Sequence, residues 1–184
     1  DKTLGENLTL VSGIPPWIQM FFDLVLERTG KKTIMEVFPN LQLIVYGGVN
    51  FEPYKAKLFD SIGRKIDTIE TFPASEGFFA FQDRINSDEM LLMPDYGLFY
   101  EFIPMEEFDK EYPKTVMLTE VELNKNYAVV ISSNAGLWRY KIGDTIRFTS
   151  KNPYRIQVSG RVKHFINAFG EEVIVDNTDK AIAE

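Results

Sequence analysis

Three stretches of this sequence hold side chains able to do chemistry. Thr71-Phe72-Pro73-Ala74-Ser75-Glu76-Gly77 is a small-residue turn that carries a hydroxyl and a carboxylate. Magnesium takes oxygen ligands and is usually held by one or two carboxylates plus substrate phosphates. Glu76 can supply the carboxylate and Ser75 a hydrogen bond to phosphate; the same residues also suit a plain strand-ending turn, with Ser75 capping and Glu76 solvated. In Gly136-Leu137-Trp138-Arg139-Tyr140-Lys141-Ile142-Gly143-Asp144, an aromatic and basic strand reverses at a glycine and presents one acid. A carboxylate accepts two hydrogen bonds at once, as a ribose diol requires, and it serves equally in a Gly-Asp hairpin turn. The third stretch, Gly160 to Gly170, holds Arg161, Lys163 and the only histidine, His164. On its own it reads as a strand flanked by glycines with basic residues on the wet side. His164 has apolar neighbours and no acid at a useful spacing, so packing is expected of it rather than proton transfer, despite histidine's suitable pKa.

The elements that must position these residues emerge from pattern. Pro15-Pro16-Trp17 suits a helix start, and Ile18, Phe21, Phe22, Val25 and Leu26 recur at helical spacing to about Arg28, with Gly30 as the stop. Thr33–Phe38 reads as a second short helix before Pro39. Leu41–Tyr46 is an apolar strand ending at Gly47-Gly48, Phe51 to about Ile62 a helix, and Lys65–Phe72 another strand. Strand, turn, helix and strand in that order predict a parallel α/β unit. The turn at Ser75-Glu76 then lies at the carboxyl end of a parallel strand, where open α/β sheets bind ligands. After Gly77 the chain changes character. Phe78–Gln82, Glu89–Met93, Gly97–Ile103, Thr119–Leu123, Tyr127–Ser133, Leu137–Lys141, Thr145–Thr149 and Tyr154–Ser159 read as short strands. Asp95-Tyr96-Gly97 and Asn124-Lys125-Asn126 read as turns between antiparallel partners. Asp176–Asp179 has the polar cap and early acid of a helix start. The expected class is α/β, or α+β within this stretch: a parallel α/β unit followed by an antiparallel, β-rich subdomain.

Composition narrows the function. Among 184 residues, 45% are hydrophobic and 15 are Phe, ample for a packed core. A net charge of −7 argues against a nucleic-acid partner, which calls for a basic face. It does not argue against ATP, which needs only a few local donors. There is no cysteine, so there is neither a disulfide framework nor thiolate chemistry, and a reducing cytoplasm fits. No apolar run approaches the length of a membrane helix. The chain starts without Met and ends at Ala181-Ile182-Ala183-Glu184 inside a young helical pattern, so it is expected to be a piece of a longer protein.

Taken in order, the three stretches resemble motifs of the adenylate-forming superfamily of acyl-CoA synthetases, luciferases and peptide-synthetase adenylation domains. Those motifs are aromatic-small-x-Ser/Thr-Glu, Tyr-Arg-x-Gly-Asp and Gly-Arg-x-Asp/Lys-x-x-Ile-x-x-x-Gly. They correspond here to Phe72–Glu76, to Tyr140–Asp144, and to Gly160–Lys163 with Ile166 and Gly170. Ile14-Pro15-Pro16-Trp17, Pro39-Asn40-Leu41, Ala135–Tyr140 and Ile142-Gly143-Asp144 resemble more narrowly the auxin-responsive promoter family of acyl acid amido synthetases. The resemblance implies that residues 1–161 are the later part of the large adenylate-forming domain. Residues 162–184 would be a hinge, at Lys163, and the start of the small carboxyl-terminal domain. It implies that Gly47 and Gly48 line the nucleotide pocket and that Phe72 stacks near the adenine. Ser75 and Glu76 would be catalytic, meeting the α-phosphate and Mg2+ with Glu76 as metal ligand. Asp144 would hold the ribose hydroxyls with Arg161 close by. The implied activity is MgATP-dependent activation of a carboxylic acid and transfer of the acyl group to an amine, an amino acid in this family's case. Alternatives are transfer to coenzyme A, a non-catalytic nucleotide-binding or structural domain, and a β-rich adaptor. Three departures stand out: Phe72 replaces the usual Tyr, Lys141 replaces the usual Arg, and no Ser/Thr/Gly-rich loop with a Lys precedes these motifs.

Overall fold

Two prolines and a left-handed glycine delimit the first long helix, α1 (Pro15–Thr29), in the computed structural model, which describes residues 2–162 and the backbone of 165–168 and 171–174. Pro15 and Pro16 fill positions whose N–H groups would lack an intrahelical acceptor. Gly30, at φ 68°, caps the far end and donates its N–H to the Leu26 carbonyl at 2.9 Å. Between these ends, Ile18, Phe22 and Val25 bury one face. The helix expected over Thr33–Phe38 is a shorter 3-10 turn, Ile34–Glu36, closed by a capping box between Thr33 and Glu36.

The chain divides into two compact units, Asp1–Met93 and Pro94–Glu184. In the first, β1 (Leu10–Gly13) lies parallel to β2 (Leu43–Gly47), and β2 parallel to β3 (Asp67–Ala74). Helix α1 connects β1 to β2, and α2 (Glu52–Ile62) connects β2 to β3. The expected parallel unit is therefore present and is preceded by a second one. Its four-residue strand β1 is too short to stand out by alternation. Ile18, Phe22, Ile34, Phe38, Leu41, Ile44, Leu58 and Ile62 form one core cluster, each at most 3% exposed. Tyr46 stacks on Phe51 at its margin, with ring centroids 4.2 Å apart. Beyond β3 the pairing turns antiparallel: β3 with β4 (Gly77–Phe81), and β4 with β5 (Met90–Leu92).

The second unit is an antiparallel meander. Strands β6 (Leu98–Pro104), β7 (Asn126–Ser133), β8 (Tyr140–Lys151) and β9 (Tyr154–Arg161) each pair with the next in sequence. Its core is aromatic. Phe148 meets the Phe102 ring edge-on at 5.0 Å and the Tyr127 ring at 6.0 Å. The buried Tyr127 hydroxyl accepts the Glu122 N–H at 2.9 Å, so its polar end is satisfied. A separate pair, β10 (Phe165–Ala168) and β11 (Glu171–Ile174), is antiparallel.

Three expected strands are corrected. Leu137–Lys141 and Thr145–Thr149 do not flank a reversal, because Tyr140 to Lys151 is one continuous strand. Thr119–Leu123 is not a strand. The Lys151 ammonium takes the Thr119 and Val121 carbonyls at 3.1 and 2.8 Å, bonds that a neighbouring strand would otherwise supply. This packing makes an unequal prediction for two aromatics. Phe148→Ala should destabilise the 184-residue chain by about 3–5 kcal/mol through the cavity it leaves. Tyr112→Ala, at an 83% exposed position, should change stability by less than about 0.5 kcal/mol. Urea denaturation of both variants measures the difference.

Candidate functional site

In the first unit the candidate residues gather at the carboxyl ends of β2 and β3. Gly47 is registered opposite Thr71. A Cβ at position 47 would overlap the Thr71 carbonyl oxygen and come within 3.0 Å of its hydroxyl and 3.1 Å of the Pro73 ring. Glycine is thus required here by the strand pair itself. Thr71 Oγ1 also donates to the Tyr46 carbonyl at 2.9 Å, tying the two strand ends together. Gly48 has a different reason to be glycine. A Cβ there would meet only Ile14, at 3.8 Å, but the backbone φ is 81°. These needs of the fold stand beside the clearance for an adenine ring that the resemblance implies.

Phe72 is buried, with its ring edge-on to Phe79 at 5.0 Å. Ser75 and Glu76 are the two loop residues of the β3–β4 hairpin, between registered Ala74 and Gly77. Neither has a positive φ, so the turn lacks the primed geometry that matches strand twist, and the register shifts at Phe72–Pro73. Ser75 is exposed and Glu76 half-buried. Among the described residues, neither side chain has a hydrogen-bond or ion-pair partner, which leaves both oxygens open to a ligand. Just upstream on β3, burial and then the nearby Asp88 push the Glu70 carboxyl above its ordinary range. Behind it, buried Gln82 accepts the Glu70 N–H at 2.8 Å and donates to the Arg84 and Ser87 carbonyls at 2.9 and 2.7 Å.

In the second unit the motif Tyr140–Asp144 runs through a bulge. Lys141 is registered with Val130 and Thr145 with Ala128, so Ile142, Gly143 and Asp144 stand opposite Val129 alone. Gly143 takes φ 86°, which re-aims the strand without ending it. On the other side, Asp144 registers with Arg161. Arg161 Nε donates to Asp144 Oδ1 at 2.9 Å, and the Val162 N–H donates to the Gly143 carbonyl at 2.8 Å. The structure thus brings the two residues together, with the Asp144 side chain 16% exposed and that of Arg161 60%. Lys141 sets its ammonium 5.1 Å from the Phe108 ring centre, a cation–π contact open to either basic side chain.

The expected hinge Lys163 lies outside the described residues, as do His164, Gly170, the side chain of Ile166 and the helix start at Asp176–Asp179. Sequence reasoning missed Glu101 and Arg139. Glu101 is 8% exposed and accepts Arg139 Nε at 3.0 Å. The available signal was one acid inside the otherwise apolar run Leu98–Pro104. Among the described residues, no helix is long and apolar enough to cross a membrane. Nor do three or more His, Asp or Glu side chains gather there to hold a metal unaided.

This arrangement, a short parallel sheet followed by an antiparallel meander, is the fold of adenylate-forming enzymes. The chain superposes on the acyl acid amido synthetase AtGH3.15 in complex with 2,4-DB with a TM-score of 0.60 at 18% identity, over 88% of this chain and 29% of that one. It superposes on an open conformation of 2-hydroxyisobutyryl-CoA ligase with a TM-score of 0.61 at 16% identity, over 95% of this chain and 41% of that one. Residues 91–161 match the GH3 family central domain. The chain is 36% identical to a jasmonoyl–L-amino acid synthetase, JAR4, of Nicotiana attenuata over 121 residues, 62% of this chain and 21% of that protein. It is 40% identical over 58 residues to the indole-3-acetic acid-amido synthetase GH3.3 of Arabidopsis thaliana, 32% of this chain and 10% of that protein. The resemblance to the auxin-responsive promoter family, GH3, is therefore borne out by the family model and by these relatives. The chain spans only about a fifth of the length of the JAR4 relative.

The glycine pair yields a test of the strand-end geometry. Gly47→Ala should cost about 1–3 kcal/mol by forcing β2 from β3, and Gly48→Ala about 1–2 kcal/mol through its left-handed backbone alone. Amide hydrogen exchange should separate them, with faster exchange along the β2–β3 pair expected for Gly47→Ala only.

Proposed function

We propose that this chain is part of an acyl acid amido synthetase. In that reading a carboxylate oxygen of the acid attacks the α-phosphorus of ATP. The bond to the bridging oxygen of the β-phosphate breaks, and pyrophosphate leaves. An amine, taken to be that of an amino acid, then attacks the acyl carbon of the adenylate and AMP departs. The activities for which the relatives are named, jasmonoyl–L-amino acid synthesis and indole-3-acetic acid-amido synthesis, support the reaction class. The geometric observation that carries the reading is the Asp144 carboxylate, presented by the Gly143 bulge and oriented by Arg161 at 2.9 Å. A carboxylate fixed in this way suits a vicinal diol, because it can accept a hydrogen bond from each hydroxyl.

Each unit contributes to the reading separately. In the first, Gly47 and Gly48 provide backbone without side chains, Phe72 an apolar surface, and Ser75 a hydroxyl for the α-phosphate. Glu76 fits Mg2+ as a single hard oxygen donor with no competing cation, the remaining ligands being phosphate and water. Bound there, the ion would offset negative charge that develops on the phosphates. In the second unit, Asp144 and Arg161 serve the ribose, and Lys163 the hinge. Positioning and charge stabilisation suffice for such chemistry without a protein nucleophile, which agrees with a sequence lacking cysteine. A cytoplasmic setting, with neither nucleic-acid nor membrane partner, completes the proposal.

The test is ATP–pyrophosphate exchange by the full-length protein across a panel of carboxylic acids, followed by acyl transfer to amino acids and to coenzyme A. Exchange with no acid would overturn the proposal, and transfer to coenzyme A alone would replace the acceptor. Asp144→Asn should weaken ATP binding by about 1.5–3 kcal/mol, the worth of a hydrogen bond to a charged group, and leave the acid's KM in place. An ATP KM within twofold of wild type would make Asp144 a residue of the fold only. Glu76→Gln should raise the Mg2+ concentration needed for half-maximal exchange, read by titration at saturating ATP.

A further inference from the structure

Arg139 has a backbone that a residue with a Cβ rarely adopts, at φ 46°. Such a conformation persists only where its surroundings over-determine it. Here they do. The Arg139 N–H donates to Ser132 Oγ at 3.0 Å, and its Nε donates to Glu101 Oε2 at 3.0 Å. Thr115 Oγ1 donates to the other oxygen of the same carboxylate at 2.8 Å. Glu101 is buried, so losing its guanidinium would leave a charge with little solvent to turn to. The residue that leads into β8 is thereby fastened to β6, to β7 and to the segment at Thr115.

This fastening is not needed to close the β7–β8 loop. The loop is closed by its own backbone, with the Ser133 N–H on the Leu137 carbonyl at 2.9 Å and the Gly136 N–H on the Ser133 carbonyl at 3.2 Å. The start of β8, by contrast, does need support. Tyr140 and Lys141 pair regularly with β7, and then Ile142, Gly143 and Asp144 form the bulge. Glycine at the bulge tolerates many backbone conformations, so the bulge does not fix its own shape. Its far end is held where Asp144 meets Arg161, and its near end is held through Arg139.

We propose that Glu101 and Arg139 are positioning residues, a buried carboxylate and its guanidinium partner that fix the approach to the Gly143 bulge and so aim the Asp144 carboxylate at the ribose diol. The proposal rests on the reading of Asp144 as the ribose contact. It concerns aim rather than contact, so its signature is discrimination between sugars. A well-aimed carboxylate favours ATP over 2′-deoxyATP, because the deoxy sugar leaves one of its acceptors without a donor.

The experiment measures dissociation constants of the full-length protein for ATP and 2′-deoxyATP by calorimetry. The variants are Arg139→Gly, Arg139→Gln and, in parallel, Asp144→Asn. Arg139→Gly removes the pair and relieves the backbone strain together, so the fold should hold; Arg139→Gln removes the charge alone. Both should lower the preference for ATP over 2′-deoxyATP at least fivefold, and both should melt below wild type because the buried Glu101 loses its guanidinium, Arg139→Gln more so because it keeps the strained backbone. Arg139→Lys, which keeps the charge, should recover part of that preference. A wild-type preference in both the Gly and Gln variants, with Asp144→Asn losing it, would overturn the positioning role and leave the ribose contact standing. A wild-type preference in Asp144→Asn as well would overturn both. Equal weakening toward both nucleotides, with the preference kept, would make the pair a stabilising contact and sink the proposal.

Discussion

Strands β2 and β3 approach so closely at Gly47 that no side-chain atom fits between that residue and the Thr71 carbonyl. Much of the first unit is arranged around this contact. Because the two strands are parallel and in register there, the chain beyond β2 must leave at once, through the left-handed Gly48, to enter α2. Because Thr71 is drawn in, its hydroxyl reaches the Tyr46 carbonyl, and the Tyr46 ring is left to stack on Phe51. Beyond this point β3 pairs antiparallel with β4, and the Ser75-Glu76 turn projects from the hairpin tip. A residue with no side chain thus sets where the oxygens of Ser75 and Glu76 stand.

The second unit reaches a comparable end by the opposite means. Where Gly47 lets strands come together, Gly143 lets one strand hold an excess of residues over its neighbour without breaking. The surplus is carried by Asp144, which therefore faces Arg161 instead of keeping to the regular alternation of β8. The rings of Phe102, Tyr127 and Phe148 meet edge-on and join β6, β7 and β8 in one aromatic core.

Most of the fold was legible because its signals are local. The paired prolines and Gly30 bounded α1, and nearly continuous apolar runs marked β2, β6 and β7. Gly143 misled because glycine at positive φ serves turns and bulges alike, and only the partner strands decide between them. Thr119–Leu123 misled because its β-prone residues have carbonyls satisfied by Lys151, far along the chain. The site was legible as motifs but not as geometry. That Asp144 and Arg161 meet was implied by resemblance, whereas Glu101 and Arg139, 38 positions apart, form no pattern that sequence spacing could join.

The order of strands in the second unit bears on how it is made. The pairs β6–β7, β7–β8 and β8–β9 each join sequence neighbours, so none of these three ladders waits for a strand from a distant part of the chain. Pairing between sequence neighbours keeps contact order low, and low contact order goes with fast folding. The parallel pairs β1–β2 and β2–β3 each require a helix to be threaded between partners before the ladder can close. A chain emerging from the ribosome therefore makes its slow-assembling half first and its fast-assembling half second. The edge of β3 that faces away from β2 is covered soonest, because β4 follows it after a two-residue turn.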